Sequence, residues 1–245
     1  MTTLLFYEKP VIIDRNVHRD LRLKLQSSGF RYAAKTNSIP LAAVEFAMVC
    51  HEYPIVFILD EGDGGVPVAL TGLRDNENLS VRADGKWDGV YIPAFVRRYP
   101  FVLQIDDSAE ESRVLIDSAA DGFGAPDGER LFAEDGANTP LLNGMLDLLN
   151  EYRAFTSQTT VMVKHLRKLD LLIPRVVNAT LNNGATISMD GFHVVDEARL
   201  NALADADLLE LARTGHLSSI YAHLISLPNL QKLLERLERL TAIAA

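Results

Sequence analysis

Between Val11 and Ile116 the apolar residues come in short runs, some alternating with polar ones, each cut off by turn-forming residues. Runs of this length, rich in β-branched and aromatic side chains, predict strands over Ile55–Leu59, Val66–Leu70, Phe101–Ile105 and Arg113–Ile116. Between the first two lies Asp60-Glu61-Gly62-Asp63-Gly64-Gly65, whose glycines accept positive φ and predict a wide hairpin loop. Pro40 and Pro93 each suit a first helical turn, so short helices are expected over Leu41–His51 and Pro93–Tyr99.

From Asp117 to Asn138 the periodicity fades among glycines and acids, which predicts a mobile connector or a loop over a site. The pattern then changes. After the capping pair Thr139-Pro140, residues Met145, Leu149, Tyr152, Phe155, Thr159, Met162, Leu166 and Leu169 recur every three or four positions. One helix of about 30 residues follows, ending near Pro174, and its stripe reads as an intramolecular seam rather than a dimeric coiled coil. Val176–Leu181 and Ala185–Met189 flank Asn182-Asn183-Gly184, a strong hairpin signal. Asp196 and Asp205 read as helix caps, Gly215 as a stop and Pro228 as a restart, so the tail is a cluster of short helices. The fold class is therefore α+β. Residues 1–137 form a strand-rich region with short helices, and residues 138–245 a helical region carrying the hairpin 176–189, the two packed as one unit.

Hydrophobic residues make up 48% of the 245, enough for a sizeable core. The single cysteine, Cys50, excludes an intramolecular disulfide and a Cys-rich zinc site, and fits a reducing compartment. The N-terminal apolar patch Leu4–Tyr7 is too short for a signal-peptide core, and no uncharged run reaches the length of a membrane span. A cytoplasmic location without membrane insertion is the expectation. A net charge of −9 with scattered basic residues repels phosphate backbones, so nucleic acid is not expected as a partner.

The chain lacks a nucleophile elbow, phosphate-binding glycine loops and a His-Glu-x-x-His helix. Cys50 beside His51 is no nucleophile–base pair, because sequence neighbours diverge on a helix; a buried thiol is the plainer reading. The acids of the 60–65 loop fall short of a calcium-loop pattern. His216 and His223 are seven apart on one helix face, about 10.5 Å along the axis, too far to chelate one ion together. Either alone could ligate a cofactor iron, although His223 among Ile220, Tyr221, Leu224 and Ile225 reads first as a hydrogen-bonded core residue. In an extended segment His18, Asp20 and Arg22 would share a face, as a polar site or an ion pair at a strand edge. Arg97 and Arg98 at a helix C-terminus complement the dipole, and would clamp an anion if the 117–138 segment closed over them. These six residues, His18, Asp20, Arg22, Arg97, Arg98 and His223, are the candidate ligand site. No metal site and no cofactor are identified.

The runs Phe6-Tyr7-Glu8-Lys9-Pro10, His18-Arg19-Asp20-Leu21-Arg22-Leu23, Thr36-Asn37-Ser38-Ile39-Pro40-Leu41, Tyr53-Pro54-Ile55-Val56-Phe57, Tyr91-Ile92-Pro93-Ala94-Phe95-Val96-Arg97-Arg98-Tyr99-Pro100-Phe101 and Ile220-Tyr221-Ala222-His223-Leu224-Ile225-Ser226-Leu227 span nearly the whole chain. In these runs and their order the sequence resembles the bacterial SapC family, named for an association with a surface-layer system. The resemblance brings no catalytic residues. It implies genomic company with outer-membrane nutrient receptors, and hence a cytoplasmic accessory or small-ligand-binding protein in nutrient uptake, with protein partners from the same system. Two alternatives stand beside it: an enzyme acting on an imported nutrient, with iron or haem as a conceivable cofactor, and a surface-layer assembly protein.

Overall fold

The computed structural model describes residues 4–25, 29–104 and 112–244. Its strands are β1 (Pro10–Ile12), β2 (Arg22–Leu23), β3 (Ser38–Pro40), β4 (Ile55–Leu59), β5 (Gly65–Leu70), β6 (Phe101–Gln104), β7 (Arg113–Asp117), β8 (Glu129–Arg130), β9 (Leu172–Thr180) and β10 (Thr186–Val195). Its α-helices are α1 (Phe46–Val49), α2 (Ala94–Arg97), α3 (Pro140–Lys168), α4 (Glu197–Asn201), α5 (Asp205–Arg213), α6 (His216–Ser226) and α7 (Asn229–Ala244). This is the α+β arrangement read from the sequence, strands in front and a long helix with further helices behind. The expected Ile105 lies outside the described residues.

Among the described residues all strand pairings are antiparallel. A five-stranded sheet runs β3-β5-β4-β10-β9, a three-stranded one β1-β7-β6, and β2 pairs with β8. β10 enters the larger sheet beside β4, with His193 opposite Phe57, so the C-terminal hairpin completes a sheet begun by β3, β4 and β5. Core residues therefore come from both stretches: Phe46, Ile55 and Phe57 pack with Met162, Leu166, Val195, Leu211 and Ile220.

The expected helix over 41–51 is shorter, a 3-10 turn at Ala43–Glu45 leading into α1, and Glu45 is buried there. Its carboxylate accepts from Ala42 N at 2.9 Å, Ala94 N at 2.8 Å and the Tyr91 hydroxyl at 2.9 Å, which ties α1 to the start of α2. α3 runs for 29 residues but ends at Lys168, before the expected stop. Asp170 takes the left-handed conformation at φ 53°, and the apolar run that follows becomes β9. Pro174 is accommodated because β9 is an edge strand, where a missing N–H breaks no ladder. Arg167 and Lys164, in the last turns of α3, hold the acidic β4–β5 loop: Arg167 donates to Asp60 and Gly64, and Lys164 pairs with Asp63 at 2.9 Å. At the other end of α3 the Thr139 hydroxyl accepts from Leu142 N and donates to Arg130 O at 2.7 Å. Thr139→Ala is expected to lower the unfolding free energy by about 1 kcal/mol, read as a shift of the urea midpoint at unchanged slope.

The 117–138 segment is not a free connector. Lys24 N donates to Gly122 O, Gly124 N donates to Arg22 O, and β8 pairs with β2. Leu131 and Phe132 are buried against Phe101, Ile116 and the first turns of α3. At the helical tail Asp196 caps α4 through Ala198 N and Arg199 N, as expected, whereas α5 is capped by Ala204 and Asp205 is its first residue.

Candidate functional site

The six residues singled out from the sequence divide among three places. His18 lies in a turn over residues 15–20 rather than in a strand, because the Asp14 carboxylate accepts from Asn16 N and Val17 N and winds the chain. Those two N–H groups, Val17 first, hold the Asp14 carboxyl below its usual range. His18 Nδ1 accepts from Asp14 N at 2.9 Å. Asp20 pairs with Arg130 at 3.3 Å, and Arg22 donates to Gly128 O at 2.9 Å. The alternation that would have placed the three side chains on one face is thus absent.

Arg97 and Arg98 diverge at the end of α2. Arg97 is exposed and donates from Nε to Ile92 O at 3.0 Å. Arg98 turns inward, its guanidinium carbon 3.9 Å from the Phe95 ring centroid and 5.1 Å from that of Tyr152, and its buried Nε has no hydrogen-bond partner. The surrounding aromatics are tightly tied: Tyr32 stacks on Tyr99 at 3.9 Å, and the Tyr7 hydroxyl donates to Phe101 O at 2.6 Å. Burial raises the phenols of Tyr7, Tyr32, Tyr99 and Tyr152. Where Ala120–Gly122 approach Tyr32 and Tyr99 about 30 Å³ of free space remains.

His223 is fully buried beneath the sheet. Its Nε2 accepts from Val195 N at 3.0 Å and its Nδ1 donates to Ile55 O at 2.7 Å, so neither nitrogen is left for a ligand. No hydrogen bond, ion pair or ring contact among the described residues joins these three places. The six do not converge on one cleft.

A different cleft does gather chemistry. The 3-10 turn and α1 form one wall through Ala43, Val44, Phe46 and Ala47; α3 forms another through Phe155, Gln158, Thr159 and Met162; the start of α6 closes the third. The cleft is open to solvent and its volume is about 320 Å³, at the lower end of small-molecule sites. Two larger grooves, of about 480 and 510 Å³, lie along the β9–β10 ribbon; one is lined by Arg74, Asp75 and Asp190 and the other by Arg175, Asp196 and Glu197, and neither by an imidazole. Gly215, left-handed at φ 77°, ends the link from α5 and starts α6, which turns His216 toward α3. There His216 Nδ1 meets His165 Nδ1 at 3.0 Å, the rings edge-to-face, while His165 Nε2 lies 3.8 Å from the Glu210 carboxylate. Burial first, and the neighbouring His165 second, hold the His216 imidazole below its usual range, partly offset by Glu210. Thr159 is already satisfied, accepting from Ala43 N and donating to Phe155 O, whereas Gln158 and Ser219 line the cleft from α3 and α6.

Two imidazoles are half of a tetrahedral metal shell, and no group of three or more His, Cys, Asp or Glu side chains among the described residues is placed to complete one. His165 carried no signal that sequence reasoning could weigh: it stands at the margin of the α3 stripe beside Leu166, and its partner is 51 residues away. The spacing of His216 relates it only to His223, two turns along its own helix.

Fold and cleft together define an α+β protein with a small, mixed apolar and imidazole-lined cavity. The chain matches the SapC family model over residues 13–233 and belongs to the SapC family. No curated protein and no solved structure matches it. No helix of the described residues is long and apolar enough to cross a membrane.

Proposed function

We propose that this protein binds a small organic molecule in the cleft between α1, α3 and α6, as an accessory protein in the handling of an imported nutrient. The observation that carries the reading is the cleft itself: apolar Phe46, Phe155 and Met162 line it together with polar His216, Gln158 and Ser219. Cavities that bind small molecules combine these features, apolar lining for affinity and a few polar groups for orientation. The nutrient context rests on the resemblance to the SapC family.

The test is thermal unfolding of the full chain with sugars, short peptides, haem and organic acids. A ligand at 100 times its Kd is expected to add about 2.7 kcal/mol of stability. Ala47 lines the cleft from an exposed position on α1, so Ala47→Trp fills the space without entering the core and is expected to abolish the shift. A shift that survives Ala47→Trp would place the ligand elsewhere, and no shift with any compound would remove the reading.

A further inference from the structure

The facing Nδ1 atoms of His165 and His216 constrain the proton content of the cleft. At 3.0 Å one nitrogen must donate and the other accept, so a single proton occupies the contact. Two protonated imidazoles would point N–H at N–H and break it. A pair that has taken up one proton beyond neutrality keeps the contact, carries one positive charge and leaves an N–H on each Nε2. On His165 that N–H faces Glu210. On His216, whose Nδ1 is occupied, Nε2 is the nitrogen left for the cleft that the ring lines.

The rest of the lining contains neither Asp nor Glu, and neither Lys nor Arg. Around the pair, α3 contributes His165 and α5 contributes Glu210, while the 3-10 turn and α1 contribute only the apolar side chains of Ala43, Val44, Phe46 and Ala47. Glu210 is mostly exposed and meets the pair on the His165 side, 3.8 Å from Nε2, without lining the cleft. Among the described lining residues a chargeable imidazole is therefore the only ionic feature presented to a ligand, beside apolar Phe46, Phe155 and Met162.

We infer that the ligand is an organic acid with an apolar body, whose carboxylate is held by His216 of a singly protonated imidazole pair, so that binding takes up a proton. The inference rests on the reading of the cleft as a ligand site and adds the chemical class and its pH dependence. In the free protein burial and the second imidazole oppose the charge on His216. An anion in the cleft reverses that balance.

The experiment is calorimetric titration of the full chain with octanoate and with its neutral isostere octanamide, from about pH 6 to about pH 8, the range in which an imidazole changes charge. Octanoate affinity is expected to fall as pH rises, approaching about tenfold per pH unit at the alkaline end, with one proton absorbed per ligand in buffers of different ionisation heat. Octanamide is expected to bind more weakly and without pH dependence. In His216→Gln, which keeps a polar side chain of similar reach, octanoate is expected to bind with affinity independent of pH. Equal, pH-independent binding of acid and amide would overturn the inference and leave the cleft a binding site. An unchanged pH slope in His216→Gln would likewise overturn it. Failure of both probes to bind wild type at millimolar concentration, with no compound of the thermal screen active either, would remove the underlying reading as well.

Discussion

His223→Ala is expected to lower the unfolding free energy by roughly 3–5 kcal/mol, measured by urea denaturation at neutral pH. The imidazole serves two backbone groups at once, accepting from Val195 N on β10 and donating to Ile55 O on β4. These strands are neighbours in the sheet, yet at this end their connection passes through the side chain rather than through a direct ladder bond. Truncation strands a buried donor and a buried acceptor and leaves a cavity against Phe57, whose ring centroid is 5.1 Å from that of His223. Ser226, one turn on, donates to His223 O and accepts from Ile55 N, so α6 would lose its hold on β4 at adjacent points. An unchanged midpoint would show that the two backbone groups find other partners.

The same residue sets an acid limit. Burial pushes the His223 imidazole down to about 4 from the ordinary 6.5, with the Ile55 carbonyl pulling weakly the other way. The unfolded chain therefore binds a proton that the folded chain refuses at any pH between these two values. Stability from this group is complete above about pH 6.5 and is lost as pH falls toward about 4, to a total of ~3 kcal/mol. In His223→Gln that part of the acid slope is expected to vanish, whatever the variant's absolute stability.

Asp117→Ala is the second large effect, expected at roughly 3–5 kcal/mol because hydrogen bonds to a buried charge are worth more than neutral ones. The carboxylate is fully buried at the end of β7. It accepts from Lys9 N at 2.8 Å, Glu8 N at 3.0 Å, Ala119 N at 3.2 Å and the Tyr99 hydroxyl at 3.0 Å. One side chain thus fastens the N-terminal segment, the turn after β7 and the aromatic cluster around α2. Amide hydrogen exchange offers a local readout: Glu8 and Lys9 should lose protection in Asp117→Ala before the five-stranded sheet does. Uniform protection across both regions would mean that β1, paired to β7 from Pro10 to Ile12, holds the segment unaided.

The arginines show how a residue type can be read correctly and its use missed. Arg97 and Arg98 were legible as a basic pair at a helix end, where the dipole favours them. Only the packing reveals that Arg98 lies on the faces of Phe95 and Tyr152, the second ring arriving from a helix more than fifty positions away. His18 failed for a more local reason. The alternating pattern predicts a strand, but the Asp14 side chain competes for the N–H groups a ladder would need and winds the segment into a turn. The end of α3 failed similarly, because Leu169 continues the helical stripe while Asp170 leaves the helical conformation.

What the amino-acid order determined by itself is the set of elements whose cause is local. The β4–β5 hairpin follows from its glycine-rich loop, α3 from its capped stripe of three- and four-residue spacings, the β9–β10 hairpin from Asn183-Gly184, and the α4 cap from Asp196. The tertiary structure alone decided that β10 enters beside β4, that His223 is spent on backbone groups of both, and that His165 meets His216. Periodicity reports which side of an element turns inward, since that depends on neighbours three or four positions away. Which two inward faces meet depends on how all the elements bury their apolar surface together, and no local spacing encodes that choice.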